Sequence, residues 1–303
     1  MYVYAFAVSC CECKFERVRI LNFYFNGGDM FKIKKRIAKF LCVCVCAVVT
    51  ANMVVNVYAE DFPHRKDYPT VPTISTQDLK AKYDTGSVVI IDVRSKIEFD
   101  VIHPKGTLHI PISEISFVAD TQKVISDNAG KVFAFYCNGI TCLKSYEGAQ
   151  KLIEAGAKDC FAYDAGVPDW SEKYPADTLL LGKPIEDPAK QLIAKEDFKK
   201  RVLSFDEFKK KAAEPNTIVI DGRDNIQKSG KLPGLENVLG KPLDKLIKDF
   251  VMEKREQDKT LLIFDQVGKQ VQWLDYYLRD NGYKSYYFLH GGATEVLEGQ
   301  KYK

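Results

Sequence analysis

Two cysteines, Cys137 and Cys142, lie in the segment YCNGITCLKS, between the apolar run KVFAF and a helix-like pattern. A loop between a buried strand and a helix can direct its backbone N–H groups inward, and the helix N-terminus adds positive potential. Such a loop stabilises an anion, and a cysteine beside it is held as the nucleophilic thiolate at neutral pH. We therefore interpret Cys137, the last residue of the predicted strand, as a catalytic nucleophile.

The residues that follow Cys137 are expected to form the substrate-binding or anion-binding loop. Glycine permits backbone dihedral angles that other residues avoid, and a lysine at the start of the helix could attract an anionic substrate. The predicted set comprises Asn138, Gly139, Ile140, Thr141, Cys142 and Lys144. The alternative is a buried structural cysteine beside an ordinary loop, which is the common situation of a free cysteine.

An internal duplication organises the elements around this loop. Each copy reads as an N-capped amphipathic helix, a short strand that ends in Asp-x-Arg, and a second apolar strand. The paired segments are STQDLKAKY and SFDEFKKKA, VVIIDVR and TIVIDGR, and KVFAFYC and KTLLIFD. Apolar strands that alternate with helices predict a parallel sheet covered on both faces. The sequence therefore predicts an α/β fold with two domains, 60–177 and 200–303, joined by a linker at 178–199.

The parallel-sheet prediction also locates the site. Ligands of open parallel sheets bind at the carboxyl ends of the strands, in the loops that lead to helices. The cysteine loop follows the strand KVFAFYC and is therefore at such an end.

Charge distribution excludes one class of partner. The 303-residue chain carries a net charge of +3. Residues 1–59 hold an excess of lysine and arginine, so that residues 60–303 are slightly acidic and lack a dense basic run. We expect no nucleic-acid partner.

The first 59 residues resemble upstream sequence followed by an export signal. Met30, the expected start, begins the basic stretch MFKIKKRIAKF, an apolar segment runs from 41 to 57, and VYA precedes acidic residues. This order is typical of a secretory signal peptide with cleavage after Ala59. We expect a periplasmic or secreted protein; the alternative is an uncleaved membrane anchor.

The first domain resembles a rhodanese-homology domain, the sulfurtransferase module. The resemblance is carried by IDVR, Glu98-Phe99, His103, Gly106, Ile110-Pro111, the loop CNGITC and the closing AGVPDW. It implies that the Cys137 thiolate takes sulfur from thiosulfate or polysulfide as a persulfide, which the loop amides hold and a thiol or protein acceptor removes. It implies no cofactor, and His103 and His109 are too weak a signal for a metal site.

The remaining polar residues of the motif have expected roles. Asp92, Arg94 and Glu98 are interpreted as structural support, with Arg94 and Glu98 paired to fix the segment after the strand. Cys142 is a possible redox partner that could resolve a Cys137 persulfide or form a disulfide with Cys137 directly. Its alternative role is a small residue that fills the loop.

The second copy is expected to be catalytically silent. Asp265 stands where Cys137 stands, Gln227 replaces the family glutamate, and no cysteine occurs after Cys160. We expect a shortened loop whose carboxylate repels anions, in a domain that serves as a scaffold or docking surface. Three readings of the whole chain stay open: a sulfurtransferase, a sulfur-carrier or thiol-redox binding protein without efficient turnover, and an adaptor. A phosphatase is disfavoured because Leu143 stands where the phosphate-binding arginine belongs.

Overall fold

The computed structural model describes residues 62–224, 226, 228 and 230–301. The expected upstream and signal region therefore lies outside the described residues, as does Gln227. Within the described ranges, no helix combines the length and the apolar character that a membrane crossing requires.

The first domain alternates strands and helices. Its helices are α1 (Thr76–Asp84), α2 (Lys96–Val101), α3 (Phe117–Asp127), α4 (Lys144–Glu154) and α5 (Gly166–Lys173). Its strands are β1 (Val88–Asp92), β2 (Ile102–Pro104), β3 (Leu108–His109), β4 (Val132–Tyr136) and β5 (Cys160–Tyr163). Four of them form a parallel sheet in the order β3-β1-β4-β5. Strand β4 runs parallel to its two neighbours, so the loop that follows it lies at the carboxyl edge of the sheet, as predicted.

Helices cover both faces of this sheet because its strands are apolar on both sides. Successive residues of a strand point to opposite faces. Ile90 packs with Leu79 of α1 and Trp170 of α5, whereas Ile91 packs in the cluster that holds Phe117 of α3 and Tyr146 of α4. The prediction of a parallel sheet flanked by helices on both faces is confirmed for this domain.

The beginning of the expected linker is part of the first domain's fold. Strands β6 (Thr178–Leu180) and β7 (Lys183–Pro184) form a small antiparallel sheet with β2, in the order β2-β6-β7. The rest of the connection contains the short helices α6 (Pro188–Gln191) and α7 (Lys195–Lys199).

The second domain repeats the architecture. Its strands are β8 (Val202–Leu203), β9 (Thr217–Asp221), β10 (Leu239–Gly240), β11 (Thr260–Phe264) and β12 (Tyr286–Leu289). Its helices are α8 (Phe205–Ala212), α9 (Leu243–Leu246, continued by a π-helical turn at Ile247–Val251), α10 (Val271–Asp280) and α11 (Gly292–Lys301). The five strands are parallel, in the order β10-β9-β11-β12-β8, with apolar clusters on both faces.

The two domains share a packed interface. Trp273 of α10 is buried in the same apolar cluster as Ile102 and Trp170 of the first domain. Ile97 of α2 packs against the cores of both domains. The second domain therefore contacts the helix that follows β1, close to the residues that support the cysteine loop.

Candidate active site

The two predicted loop cysteines are joined by a disulfide. Cys137 follows β4 directly and is 2% exposed, whereas Cys142 is half-buried. Their Cα atoms are 6.2 Å apart. In this oxidised form neither sulfur is a nucleophile, so the predicted thiolate of Cys137 requires reduction of the bond.

The third cysteine among the described residues, Cys160, is an unreactive core thiol. Cys160 is free and buried in β5. Burial, with a smaller contribution from the charge of Asp159, raises the pKa of its thiol to about 11. Cys160 therefore stays protonated at neutral pH and belongs to the core.

The loop between the cysteines has the backbone that the sequence predicted. Gly139 has a φ of +107°, and the N–H of Cys142 donates to the carbonyl oxygen of Gly139 at 2.9 Å. Among the described residues, the backbone N–H groups of the loop from 138 to 141 have no hydrogen-bond acceptor. Helix α4 begins directly after the loop, and Lys144 in its first turn is exposed. The loop thus offers unpaired amides beside a helix N-terminus, which is a favourable environment for an anion.

The start of α5 supports the loop from behind. The N–H of Val167 donates to the carbonyl oxygen of Cys137 at 3.1 Å. Gly166 has a φ of +68°, and a Cβ at this position would lie 2.5 Å from the Cys137 oxygen and would also overlap the Gly139 nitrogen. The glycine of the AGVPDW segment is therefore required by close backbone approach.

Arg94 anchors the loop to β1, although not through the partner that was expected. Its guanidinium pairs with Asp92, with Nη2 to Oδ2 at 2.6 Å, and Nη2 also donates to the carbonyl oxygen of Ile102 at 2.6 Å. Nη1 donates to Oδ1 of Asn138 at 3.0 Å. The predicted direct pairing of Arg94 with Glu98 is wrong. Asn138 lies between the two side chains, since its Nδ2 donates to Glu98.

The chain Asp92–Arg94–Asn138–Glu98 therefore replaces the expected pair. Glu98 also accepts from the backbone N–H of Ser95 at 2.8 Å and from its hydroxyl at 2.6 Å, which forms a capping box at the start of α2. Burial alone would raise the pKa of Glu98, but the hydrogen bonds from Ser95 and Asn138 and the charge of Arg94 outweigh it and lower the pKa. Asn138 thus positions the loop and leaves its backbone N–H free for a ligand.

His103 and His109 contact carbonyl oxygens and an aromatic ring. Phe99 is stacked between His103 and His109, with ring centroids 3.9 and 4.6 Å apart. Nδ1 of His103 lies 2.7 Å from the oxygen of Phe99, and Nε2 of His109 lies 3.0 Å from the oxygen of Arg94. Burial lowers the pKa of His103. Across the described ranges, no group of three or more potential ligands is placed to hold a metal ion.

In the second domain, the loop after β11 binds a carboxylate of its own chain. The carboxylate of Asp265 accepts four backbone N–H groups: Oδ1 from Val267 at 3.0 Å and from Gly268, and Oδ2 from Gln270 at 2.6 Å and from Val271 at 3.1 Å. The loop is shorter than its counterpart, as expected: residues 265–270 separate β11 from α10, whereas residues 137–143 separate β4 from α4. The expectation that its carboxylate only repels anions is corrected. The loop amides converge, and the carboxylate is their ligand.

The surroundings of Asp265 repeat those of Cys137. The N–H of Ala293 donates to the carbonyl oxygen of Asp265 at 2.9 Å, as Val167 does to Cys137. Gly292 has a φ of +60°, and a Cβ there would lie 2.7 Å from the Asp265 oxygen. The two loops are therefore equivalent in their support and differ in the residue at their centre.

A cavity of about 680 Å³ lies between the domains. Its lining is mostly apolar and includes Val167, Pro168, Trp273 and Tyr276. The N–H of Val167 donates to the carbonyl oxygen of Cys137 at 3.1 Å. The cavity therefore adjoins the backbone of the cysteine loop through the start of α5.

Comparison with known proteins gives sulfurtransferases among the relatives. The chain is 28% identical over 109 residues to the probable adenylyltransferase/sulfurtransferase MoeZ of Mycobacterium tuberculosis. This match covers 36% of the chain and 26% of that relative, so the chain spans about a quarter of its length.

The solved structures to which the chain is similar include two sulfurtransferases. Thiosulfate sulfurtransferase of Pseudomonas aeruginosa matches at 18% identity and a TM-score of 0.35, over 78% of this chain and 46% of that one. The human single domain sulfurtransferase matches at 25% identity and a TM-score of 0.28, over 34% of this chain and 97% of that one.

The family assignment rests on the family model. The rhodanese-like domain model matches twice, at residues 75–173 and 204–298, which together make up well over half of the chain. The first range contains the first parallel sheet and its helices, and the second contains the second sheet except β8, with its helices up to residue 298. The protein therefore belongs to the rhodanese-like domain family and carries two copies of the domain in tandem.

Proposed function

We propose that the first domain is a sulfurtransferase that moves sulfane sulfur from thiosulfate or polysulfide through a Cys137 persulfide to a thiol acceptor. The observation that carries the proposal is the equivalence of Cys137 and Asp265. In the second domain the loop binds a carboxylate through four backbone N–H groups. In the first domain the same position holds a sulfur, and the loop amides have no protein acceptor within the described chain.

The first half-reaction begins with reduction of the disulfide, which frees the Cys137 thiolate. The thiolate attacks the outer sulfur of thiosulfate, a sulfur–sulfur bond forms to Cys137, and the bond to the sulfonyl sulfur breaks. Sulfite leaves with the electron pair of that bond. The persulfide anion on Cys137 is then held by the loop amides and by the N-terminus of α4, as the carboxylate of Asp265 is held in the second domain.

In the second half-reaction an acceptor thiolate attacks the outer sulfur of the persulfide. The Cys137 thiolate is the leaving group, and the environment that stabilises the anionic sulfur favours its departure. Lys144 is exposed at the first turn of α4 and is suited to attract the anionic donor. Arg94 is buried and paired with Asp92, so its role is to position Asn138 and not to bind substrate.

The second candidate is a thiol-redox or sulfur-carrier protein without efficient turnover. The observation in its favour is the disulfide between Cys137 and Cys142, which stores two oxidising equivalents inside the loop. The two candidates differ in whether sulfur passes from a donor to an acceptor repeatedly or is held once.

The test is an intact-mass measurement on the full chain, reduced and then exposed to thiosulfate without oxygen. We expect a gain of one sulfur atom in Cys142→Ser and in the matched control Cys142→Ser/Cys160→Ala, and none in Cys137→Ser. Repeated transfer to a small thiol then separates a transferase from a carrier. A Cys142→Ser variant without a gain, or a gain that persists in Cys137→Ser, would contradict the persulfide at Cys137.

A further inference from the structure

The two loop cysteines differ in their access to solvent. Cys137 is 2% exposed and packs in the apolar cluster with Phe135 and Tyr146. Cys142 is half-buried, and its neighbours Ile140 and Leu143 are each 37% exposed. An external thiol therefore reaches Cys142 more readily than Cys137.

The loop also brings Cys142 within bonding distance of Cys137 while its turn is intact. The N–H of Cys142 donates to the Gly139 oxygen at 2.9 Å in the same structure in which the two sulfurs are bonded. A Cα separation of 6.2 Å lies within the usual span of a disulfide. Cys142 can thus attack Cys137 without unfolding the turn that forms the anion cradle.

We infer that Cys142 resolves the Cys137 persulfide, so that the sulfane sulfur leaves as hydrosulfide and the domain acts as a sulfane-sulfur reductase that is recharged by a dithiol. This inference rests on the proposed function, because it starts from the same persulfide. It differs in the fate of the sulfur, which is released and not handed to an acceptor.

The resolving step balances within the loop. The Cys142 thiolate attacks Sγ of Cys137, and the bond between that Sγ and the protonated outer sulfur breaks. The proton of the outer sulfur comes from the Cys142 thiol as it ionises beside the persulfide anion. The outer sulfur leaves as hydrosulfide with the electron pair, so it is reduced by two electrons. The two cysteine sulfurs are oxidised to the disulfide that the structure contains.

The recharging step needs a dithiol. One thiolate of the dithiol attacks Cys142, the more exposed sulfur, and Cys137 leaves as the thiolate that the loop amides stabilise. The second thiol of the reductant then displaces Cys142 from the mixed disulfide. Over one cycle, thiosulfate and a dithiol become sulfite, hydrosulfide and a cyclic or protein disulfide.

A single-turnover experiment tests the inference. The full chain is reduced with dithiothreitol, freed of it without oxygen, and mixed with thiosulfate while sulfite and sulfide are measured. Peptide mass spectrometry then maps Cys137 and Cys142. We expect the wild type and Cys160→Ala to release sulfite and sulfide and to end as the Cys137–Cys142 disulfide. Cys142→Ser should release sulfite, lose sulfide release and retain a persulfide on Cys137.

The outcomes separate this inference from the proposed function. A wild type that keeps its persulfide beside a free Cys142, or equal sulfide release from Cys142→Ser, overturns the reductase and leaves the transferase intact. Absence of both sulfite and persulfide in every variant overturns the proposed function itself. The direction of recharging is checked by adding 2-mercaptoethanol to the oxidised wild type: a mixed disulfide on Cys142 is expected, and one on Cys137 would contradict it.

Discussion

The carboxylate of Asp265 occupies in the second domain the position that Cys137 occupies in the first. Each residue directly follows an interior strand of a parallel sheet, and its carbonyl oxygen accepts an N–H from the helix after the next strand. The carboxylate satisfies four loop amides. The second domain therefore has no sulfur at this position, and its loop amides hold an internal carboxylate.

Replacement of Asp265 by asparagine should destabilise the second domain. An amide has one acceptor oxygen, so at least two of the four N–H groups lose their partner. We expect a loss of about 3 to 6 kcal/mol in the free energy of unfolding, because hydrogen bonds to charged groups contribute about 1.5 to 3 kcal/mol each. Urea-induced unfolding measures it. Asp258→Asn, at an exposed aspartate of the same domain, is the matched control. Equal stability of the two variants would contradict the role of the carboxylate.

Substitution of Gly166 by alanine should displace the cysteine loop. Gly156 also has a positive φ, +88°, but a Cβ there meets nothing within 4 Å. Both alanine variants carry the cost of the backbone conformation, whereas only Gly166→Ala collides with Cys137 and Gly139. We expect Gly166→Ala to be less stable than Gly156→Ala by about 1 to 3 kcal/mol, the usual cost of overpacking.

Sulfur loading gives a second readout of the same collision. Gly166→Ala should slow the loading of Cys137, whereas Gly292→Ala, the equivalent change beside Asp265, should cost stability and leave loading unchanged. Single-turnover sulfite release measures the loading rate. Equal loading by Gly166→Ala and Gly156→Ala would show that the contact does not shape the loop.

Glu98 should make the first domain sensitive to acid. Its pKa is lowered in the folded chain from an ordinary value of 4.5. The unfolded chain therefore binds the proton at higher pH than the folded chain. The stabilisation by the Glu98 carboxylate is complete above about pH 4.5 and is lost as the pH falls through the lower folded pKa.

The variant Glu98→Gln should isolate this effect. At pH 7 we expect a loss of about 1 to 3 kcal/mol, because a buried hydrogen-bonding network loses an acceptor, and the difference from wild type should shrink below pH 4.5. Urea unfolding from pH 3 to 7 measures both. Glu207→Gln removes the equivalent carboxylate from an exposed capping box and should have a smaller effect. A pH-independent gap between Glu98→Gln and wild type would contradict the assignment.

The elements that carry the site could be predicted because their patterns are long and repeated. The strand before Cys137 and the helix that follows the loop stand out by apolar runs and by their second copy, so the position of Cys137 at the carboxyl edge follows from parallel-sheet geometry. The small β2-β6-β7 sheet could not be predicted, since strands of two or three residues are too short for alternation to show.

The contacts of side chains were less predictable than the elements. Asn138 was expected to contribute only to the loop, and its position between Arg94 and Glu98 depends on the loop's turn. The role of Asp265 was missed for a related reason. The carboxylate was expected to repel anions, whereas it is itself the group that the amides bind. Residue types do not specify where the N–H groups of a loop point. An aspartate followed by a glycine and a helix start was the available signal.

Trp273 connects the second domain to the residues that support the cysteine loop. Two substitutions should separate the effect of its ring from the effect of its unpaired N–H. The centre of the Arg94 guanidinium lies 5.6 Å from the Trp273 ring centroid, while Nε1 of Trp273 is buried without a partner among the described residues.

Trp273→Ala should cost about 3 to 5 kcal/mol in the free energy of unfolding, as large aromatic deletions in cores do. It should also slow sulfur loading because Arg94 positions Asn138. Trp273→Phe keeps the ring contact and removes the unsatisfied N–H, so it should unfold close to wild type and load sulfur normally. Urea unfolding and single-turnover sulfite release measure the two effects. If loading is unchanged in Trp273→Ala despite the lost stability, the second domain supports only the fold and not the loop.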